Sequence, residues 1–555
     1  MADATRPGAG RAPLVLLGLF VAAYVTTLWL TAPSIGYTRD EGYYFKAAEE
    51  YGGWWEVLFS RRFFEAFTDA EIKRHFSYNT EHPALVKLVL GATHGALHRW
   101  LGVTTPAQAY RATGFLFAAL SLVATFLLGR RLVGPWVGVL AAVLLSLEPR
   151  YFYDSHLACF DVPITAMWTL SLWAFVRALE DPRPGPAVLA GVIYGLALAT
   201  KLNAFFLPFV FLPAWVWFRV ERGAGAASQG PRLQLVRGPS GSLDLALPRA
   251  PLVFGALLVL SPLVFVAHWP HLWHDTFPRI GAYVGFHMSH EHYPASYFHE
   301  LWVRPPFPSS FPFVMTLLTV PSPTLALGTL GLARGVWRAL AGHSFRDATL
   351  VGATLLPILV IALPSTPIFG GVKHWHTAQP TLAILAAWAL LDGIATLSLA
   401  ARVRRPVAVG LGILVALPGA LGVAASHPHG IGFYSELAGG LRGGAQLGMQ
   451  RGFWGSLAGP LYFERALPER GRVFFNRTNW DAFRMYQREG IIAPGVSYAN
   501  EPKGSTAGVV FEQPEHGETE AGVWSVIGTR PVRGVYSDNV TLTQLYVAGP
   551  SASPP

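Results

Sequence analysis

The sequence predicts an α-helical polytopic membrane protein that carries a small α/β domain at its carboxy-terminal end, and three observations carry that prediction. The 555 residues are 52% hydrophobic and only 14% charged, with a mean hydropathy of +0.36, a balance foreign to water-soluble globules of this length. Apolar runs of membrane-crossing length recur through the first 425 residues. After Ser426 the composition breaks, with eleven basic and eleven acidic residues dispersed among short strand-like runs.

The first run, from Ala12 to Ala32, is too long for a signal-peptide core and has no convincing cleavage site, so it reads as an anchor. Further runs follow near 109–129, 132–148, 162–180, 186–201, 203–219, 251–268, 312–337, 349–366, 376–396 and 406–425, which makes about eleven spans. The stretch 84–101, ALVKLVLGATHGALHRWL, is apolar but carries Lys87, Gly91, His94 and His98 along one helical face. That stripe predicts a helix lying flat in the membrane interface, inside a first outer loop of 33–108.

Positive charge orients the chain. With 84–101 lying flat, Arg6, Arg11, Arg130, Arg131, Arg177, Arg183, the arginines of 219–250, Arg334, Arg338, Arg346, Arg402, Arg404 and Arg405 all fall on one side, which is then the cytoplasm. The expected protein is a multi-pass protein of the plasma (inner) membrane, with a cytoplasmic amino terminus and an extracytoplasmic carboxy terminus. Its membrane module is 1–425, with a flexible Gly-, Ser- and Arg-rich cytoplasmic loop at 219–250 and an outer loop at 268–311. The extracytoplasmic α/β domain is 426–548, with "RVFFN", "AGVVF" and "VWSVIG" as strands and "WDAFRMYQREG" as a helix, and 549–555 is a disordered tail.

The net charge of +9 follows from the arginines of the inner loops, so a nucleic-acid partner is excluded. Cys159 is the one cysteine, which excludes an internal disulfide and any cysteine-based zinc cluster. The same orientation gathers polar groups on the outer side: Asp40 and Glu41, Glu81 and His82, Asp154, His156 and Asp161, the histidines His268, His271 and His274, and Lys373, His374 and His376. Lys201, between two short apolar halves, is costly at membrane depth unless it meets an anion or a wet cavity. Simpler roles compete with chemistry at each position. The Asp40–Glu41 pair could cap the helix GYYFKAAEEY, Lys201 could snorkel, Asp161 could cap the helix beginning Val162-Pro163, and the histidines near 268–299 could belong to an aromatic belt.

Four motifs in order decide between these readings: the acidic pair Asp40-Glu41 after the first span, E-x-P at Glu81, L-A-x-x-D-x-P from Leu157 to Pro163, and T-K at Thr200-Lys201. This order resembles the polyprenyl-phosphate-sugar-dependent membrane glycosyltransferases of the C-type superfamily, the group that includes protein O-mannosyltransferases and the lipid A aminoarabinose transferases. The resemblance covers most of 10–220 and resumes at "GGVKHWHTAQP" and "HPHGIGFYSELAGGLRGG". Ala84 stands where many relatives have a second proline, and His156 where many have arginine.

The resemblance implies inverting transfer of a sugar from a polyprenyl-phosphate donor to a hydroxyl of a protein, lipid A or surface glycan. Asp40 or Glu41 would be the general base. Lys201, Lys373 and Arg150 would bind the carrier phosphate, and Glu81, His82, His156 and Asp161 would bind donor or acceptor. No cofactor is identified; a divalent metal stays open, with Glu81, His271 and His274 as candidate ligands. The alternative is a multi-pass transporter or lipid flippase, which would show inverted repeats and mid-membrane charge; neither is seen in the sequence.

Overall fold

The computed structural model describes residues 11–225, 234–237, 243–246, 250–289, 292–452 and 455–549. Arg6, most of the predicted 219–250 loop and residues 550–555 of the predicted tail lie outside the described residues.

The chain enters through α1 (Ala12–Thr31) and then builds its first outer loop from α2 (Arg39–Leu58), α3 (Asp69–Phe76) and α4 (Leu85–His94). The bundle continues with α5 (Pro106–Leu132), α6 (Pro135–Ser146), the short α7 (Pro149–Asp154), α8 (Asp161–Glu180), α9 (Pro184–Leu198) and α10 (Pro208–Gly225). Within 219–250, where a flexible loop was expected, β1 (Gln234–Arg237) and β2 (Leu243–Ala246) pair as an antiparallel hairpin. Then come α11 (Leu252–Ala267), α12 (Thr276–Met288), the small hairpin of β3 (Ala295–Tyr297) and β4 (Glu300–Trp302), α13 (Phe311–Thr319), α14 (Ser322–Gly342), α15 (Phe345–Ile361), α16 (Gln379–Thr396) and α17 (Ala401–Ser426).

Each of the eleven apolar runs contains helix. Six helical segments are long and apolar enough to cross a membrane: Ala12–Ser34, Pro106–Leu132, Asp161–Glu180, Leu202–Glu221, Lys373–Thr396 and Ala401–Ser426. The apolar α6, α9 and α11 are shorter, and the run 312–337 is two helices rather than one. Pro321 forces Val320 into extended backbone (φ −81°, ψ 135°), which ends α13 before α14 begins.

The helix α4 departs from expectation. Its polar stripe faces inward: Lys87, Gly91 and His94 are buried, and the helix packs on α2 and α5. The Lys87 ammonium donates to the carbonyls of Asn79 (2.6 Å) and His82 (2.7 Å), so a residue expected at the lipid headgroups instead ties down the turn ahead of its own helix.

The two ends of the bundle differ in chemistry. At one end the arginines of the expected inner loops pair locally, Arg131 with Glu180 at 2.6 Å and Arg334 with Asp392 at 2.5 Å. At the other, the outer loops and the carboxy-terminal segment share one buried core, in which Tyr37, Phe45 and Val86 pack in the same cluster as Tyr153, Trp375, Phe475 and Leu545.

The carboxy-terminal segment holds α18 (Gly440–Gln446), α19 (Gly459–Phe463), β5 (Arg470–Phe475), α20 (Trp480–Arg488), β6 (Gly495–Ala499), β7 (Ala507–Phe511), α21 (Gly517–Val526), β8 (Arg533–Ser537) and β9 (Val540–Val547). The five strands form one mixed sheet in the order β6-β5-β7-β9-β8, parallel on the β6 side and antiparallel on the β8 side. "VWSVIG", expected as a strand, lies largely in α21. Val523 and Ile527, one helical turn apart, cover Phe474, Val510 and Tyr546 on one face of the sheet, so burial at helical spacing wins over β propensity.

Candidate active site

The first turn of α2 sets the two acids of "TRDEG" apart. Thr38 is the N-cap: its hydroxyl accepts from the Glu41 amide at 3.1 Å, and the Glu41 carboxylate accepts from the Thr38 amide at 2.9 Å. This reciprocal capping box takes Glu41 into the core. There Arg111 of α5 clamps it with two hydrogen bonds of 2.7 and 2.8 Å, and the Ala158 amide donates to it at 3.1 Å. The rest of the Arg111 guanidinium donates to the carbonyls of Ala32, Ile35 and Gly36. Both carboxylate oxygens are engaged and Glu41 is fully buried. Glu41 is therefore a structural anchor and is corrected out of the pair of candidate bases.

Asp40, one residue earlier, points the other way. It is one-quarter exposed and opens onto a cleft of about 320 Å³ that Asp154, Asp161, Cys159 and Lys373 also line. Its carboxylate accepts from the Lys373 ammonium at 2.8 Å. Asp161 opens α8 but its side chain caps no amide; it accepts from Lys201 at 2.6 Å. Asp154, from the end of α7, meets His376 at 2.5 Å. The fold thus brings Asp40, Asp161, Lys201 and Lys373 to one place from sequence separations of up to 333 residues. Burial pushes the Cys159 thiol well above its ordinary range, with the neighbouring carboxylates adding to the shift, so it lines the cleft as a protonated, unreactive group.

The turn before Lys373 needs its glycines. Gly370 and Gly371 have φ of +82° and +63°, and a Cβ on them would stand 2.6 Å from Lys373 Cε and 2.8 Å from an Arg150 guanidinium nitrogen. Arg150 itself is buried, with its Nε donating to the Phe433 carbonyl at 2.9 Å and its guanidinium over the Tyr434 ring. It backs the turn that carries Lys373.

Other predicted residues lie elsewhere. His156 is fully buried; its Nδ1–H donates to the Phe152 carbonyl at 2.8 Å, and Nε2 lies 2.8 Å from the Thr31 hydroxyl. Burial pushes its imidazole down to about 3, so it is a neutral packing residue, and the expectation that it grips donor or acceptor is corrected. His82 stacks on Phe160 and lies 3.3 Å from the Tyr44 hydroxyl, and burial, followed by the Lys201 and Lys87 ammoniums, keeps it neutral. The Glu81 carboxylate takes the Asn79 side-chain amide at 2.5 Å. His287 donates to the Glu81 carbonyl (3.0 Å), whereas His274 donates to the Phe67 carbonyl (3.3 Å) and His271 lies edge-on to Trp269. Glu81, His271 and His274 are thus not a ligand set; among the described residues no cluster of three or more His, Cys, Asp or Glu could hold a metal ion.

Sequence reasoning missed Arg111, which carries the signal that singled out Lys201, a cation inside an apolar run. It also missed that the carboxy-terminal segment closes over the first turn of α2. The Asn479 side-chain amide donates to the Arg39 carbonyl at 2.8 Å, and Glu489 accepts from the Ala107 amide at 2.8 Å and from the Tyr37 hydroxyl.

Comparison with known proteins agrees with the four motifs. Residues 101–228 match the family described as dolichyl-phosphate-mannose-protein mannosyltransferase. No curated protein sequence matches the chain. Among solved structures, ArnT from Cupriavidus metallidurans bound to undecaprenyl phosphate superposes with a TM-score of 0.50 at 15% identity, over 99% of this chain and 100% of that one. Archaeal oligosaccharyltransferase AglB from Archaeoglobus fulgidus, in complex with an inhibitory peptide and a dolichol-phosphate, gives 0.44 at 12% identity, over 89% of this chain and 69% of that one. At such identities the ArnT likeness is one of fold. By motif order, by the matched segment and by fold, the family that this chain resembles is that of the polyprenyl-phosphate-sugar-dependent membrane glycosyltransferases.

Proposed function

We propose that the protein is an inverting glycosyltransferase that moves a monosaccharide from a polyprenyl-phosphate carrier to a hydroxyl-bearing acceptor at the extracytoplasmic membrane face. The observation that carries this reading is the set of carboxylate–cation pairs gathered in one cleft, Asp40 with Lys373 and Asp161 with Lys201, at the loop end of an apolar helix bundle. A carrier whose prenyl tail stays in the bilayer presents its phosphate and sugar at that end.

The resting ion pairs are suited to exchange. A carrier phosphate entering the cleft competes with Asp40 for Lys373, and in a site of low dielectric that competition is strong. Asp40 is then released as an ionised carboxylate beside the acceptor. The acceptor oxygen attacks the anomeric carbon, its proton passes to Asp40, and the bond from that carbon to the phosphate oxygen breaks with its electron pair leaving on the phosphate. A single displacement inverts the anomeric centre. Lys373 and Lys201 hold the charge that develops on the departing phosphate. Asp161 fixes Lys201 and closes the cleft from α8.

The test is transfer of radiolabelled sugar from polyprenyl-phosphate donors by the purified protein, native against Asp40→Asn. Loss of about 100-fold or more in kcat, with thermal stability kept, is the expected result for removal of a general base. Unchanged transfer by the variant would remove Asp40 from the mechanism. The transporter or flippase reading finds no comparable support, because the charges gather at one end of the bundle.

A further inference from the structure

Behind the cleft runs a buried polar chain that the mechanism above does not use. Asp154 meets His376, His376 meets Gln379, and Gln379 meets Glu148, with separations of 2.5, 2.6 and 2.5 Å. His376, Gln379 and Glu148 are all buried, and only Asp154 reaches the cleft.

The direction of these hydrogen bonds fixes a charge. Gln379 donates from its amide nitrogen to Glu148, which turns its carbonyl oxygen toward His376 Nδ1. Asp154 offers a carboxylate oxygen to Nε2. Amide and carboxylate oxygens accept, so both ring nitrogens donate and both carry a proton. The charged and titratable groups around the ring agree with that. Asp154 and Tyr151 face it from α7, Glu148 lies just before α7, Asp161 acts on it from α8, and Lys373 and His374 share its own turn. The acid of the neighbouring α15, Asp347, is engaged with Arg338 and Arg346.

We infer that His376 is held as an imidazolium and is a positioning residue, aiming Asp154 so that its second oxygen accepts a hydrogen bond from a hydroxyl of the sugar being transferred. The sugar contact rests on the glycosyl-transfer reading; the imidazolium rests on the hydrogen-bond chain alone. Asp40 and Asp161 are each held by a lysine, whereas Asp154 faces the cleft with one oxygen fixed from behind and the other, Oδ1, without a protein partner among the described residues. A carboxylate so presented suits a polyhydroxylated ligand, as lysines suit a phosphate.

The experiment uses the purified full-length protein and two readouts. The first is the thermal midpoint against pH for the native chain, His376→Asn and Glu148→Gln. A histidine whose charged form the fold favours contributes stability at low pH and loses it as pH rises through its deprotonation. The native midpoint is expected to fall across that step, the fall to vanish in H376N, and the step to move about one unit lower in E148Q, where a carboxylate near the ring becomes neutral. The second readout is steady-state transfer from a polyprenyl-phosphate sugar. H376N is expected to lower kcat/KM about 10- to 100-fold, the scale of a hydrogen bond to a charged group, and D154N to lower it as much or more. The double variant should be no worse than D154N, because His376 acts through Asp154.

A pH dependence of stability that is the same in H376N and native protein, or an E148Q step that does not move, overturns the imidazolium. Multiplicative losses in the double variant overturn the positioning role. If the native protein transfers no sugar, the glycosyl reading fails and the contact with sugar fails with it, while the stability readout still decides the charge of His376. Where H376N gives no folded protein, the E148Q step decides.

Discussion

The clamp between Arg111 and Glu41 can be tested by removing either side of it. Both side chains are essentially inaccessible to water, at 2% and 0% exposure. The guanidinium serves not only Glu41 but three carbonyls at the exit of α1, those of Ala32, Ile35 and Gly36. Arg111→Met therefore leaves an ionised carboxylate buried without its partner and three carbonyls without a donor. Breaking one side of a buried pair costs about 3–5 kcal/mol, which for a chain of this length lowers the thermal midpoint by roughly 5 °C. Glu41→Gln leaves the cation stranded instead and should cost a similar amount. The double variant removes both charges, so it should fall short of the sum by about 2 kcal/mol or more. The assay is thermal unfolding of purified protein in detergent, read beside transfer activity. E41Q protein with an unchanged midpoint and no transfer would refute the structural role and restore Glu41 as the base. Destabilised E41Q protein that keeps measurable transfer at low temperature would bear the structural role out.

Lys373→Met should raise the KM for the lipid donor and lower kcat/KM about 10- to 100-fold, since a charge-assisted contact to phosphate is lost; steady-state kinetics at varied donor concentration reads it. Gly371→Ala should destabilise by about 1–2 kcal/mol, because an alanine at φ +63° is strained and its Cβ meets the Arg150 guanidinium; a lowered midpoint together with reduced transfer is the expected pair of results. Burial pushes the Lys87 ammonium down to about 7, from an ordinary 10.5. The unfolded chain then holds the proton across pH 7 to 10.5 where the folded chain does not, so stability rises with pH through that window and is lowest below it. The native midpoint should climb between pH 7 and 9, and Lys87→Met should flatten the climb.

The bundle was legible because apolar length is written locally: each predicted run holds helix, and errors arose where proline broke a run at Val320 or where helices proved shorter than a span. The site was half legible. Asp40, Asp161, Lys201 and Lys373 could be named because motif order and membrane side are properties of the linear chain. Their partners could not, since the lysine that meets Asp40 is 333 residues away and the arginine that takes Glu41 is 70 residues away. Adjacent acids look alike in a sequence; a capping box and an arginine on another helix give them opposite directions. The stripe on α4 misled for a related reason. Lys87 and His94 at helical spacing mark a polar face, and spacing does not say whether that face meets lipid headgroups or the carbonyls of its own turn.

The contact of Asn479 with the Arg39 carbonyl, spanning 440 residues of sequence, bears on how the protein breathes. The first turn of a helix ordinarily frays, and its amides exchange with solvent at little free-energy cost. Here that turn carries Asp40 and is latched from above by the end of the chain, close enough that a Cβ on Gly42 would overlap the Asn479 side chain. Amides of residues 38–42 and of α20 should therefore exchange with deuterium through one shared opening, with the same protection. A latch of this kind makes the geometry of the base depend on the integrity of a sheet outside the membrane, so loss of that sheet would silence the cleft without touching any residue that lines it.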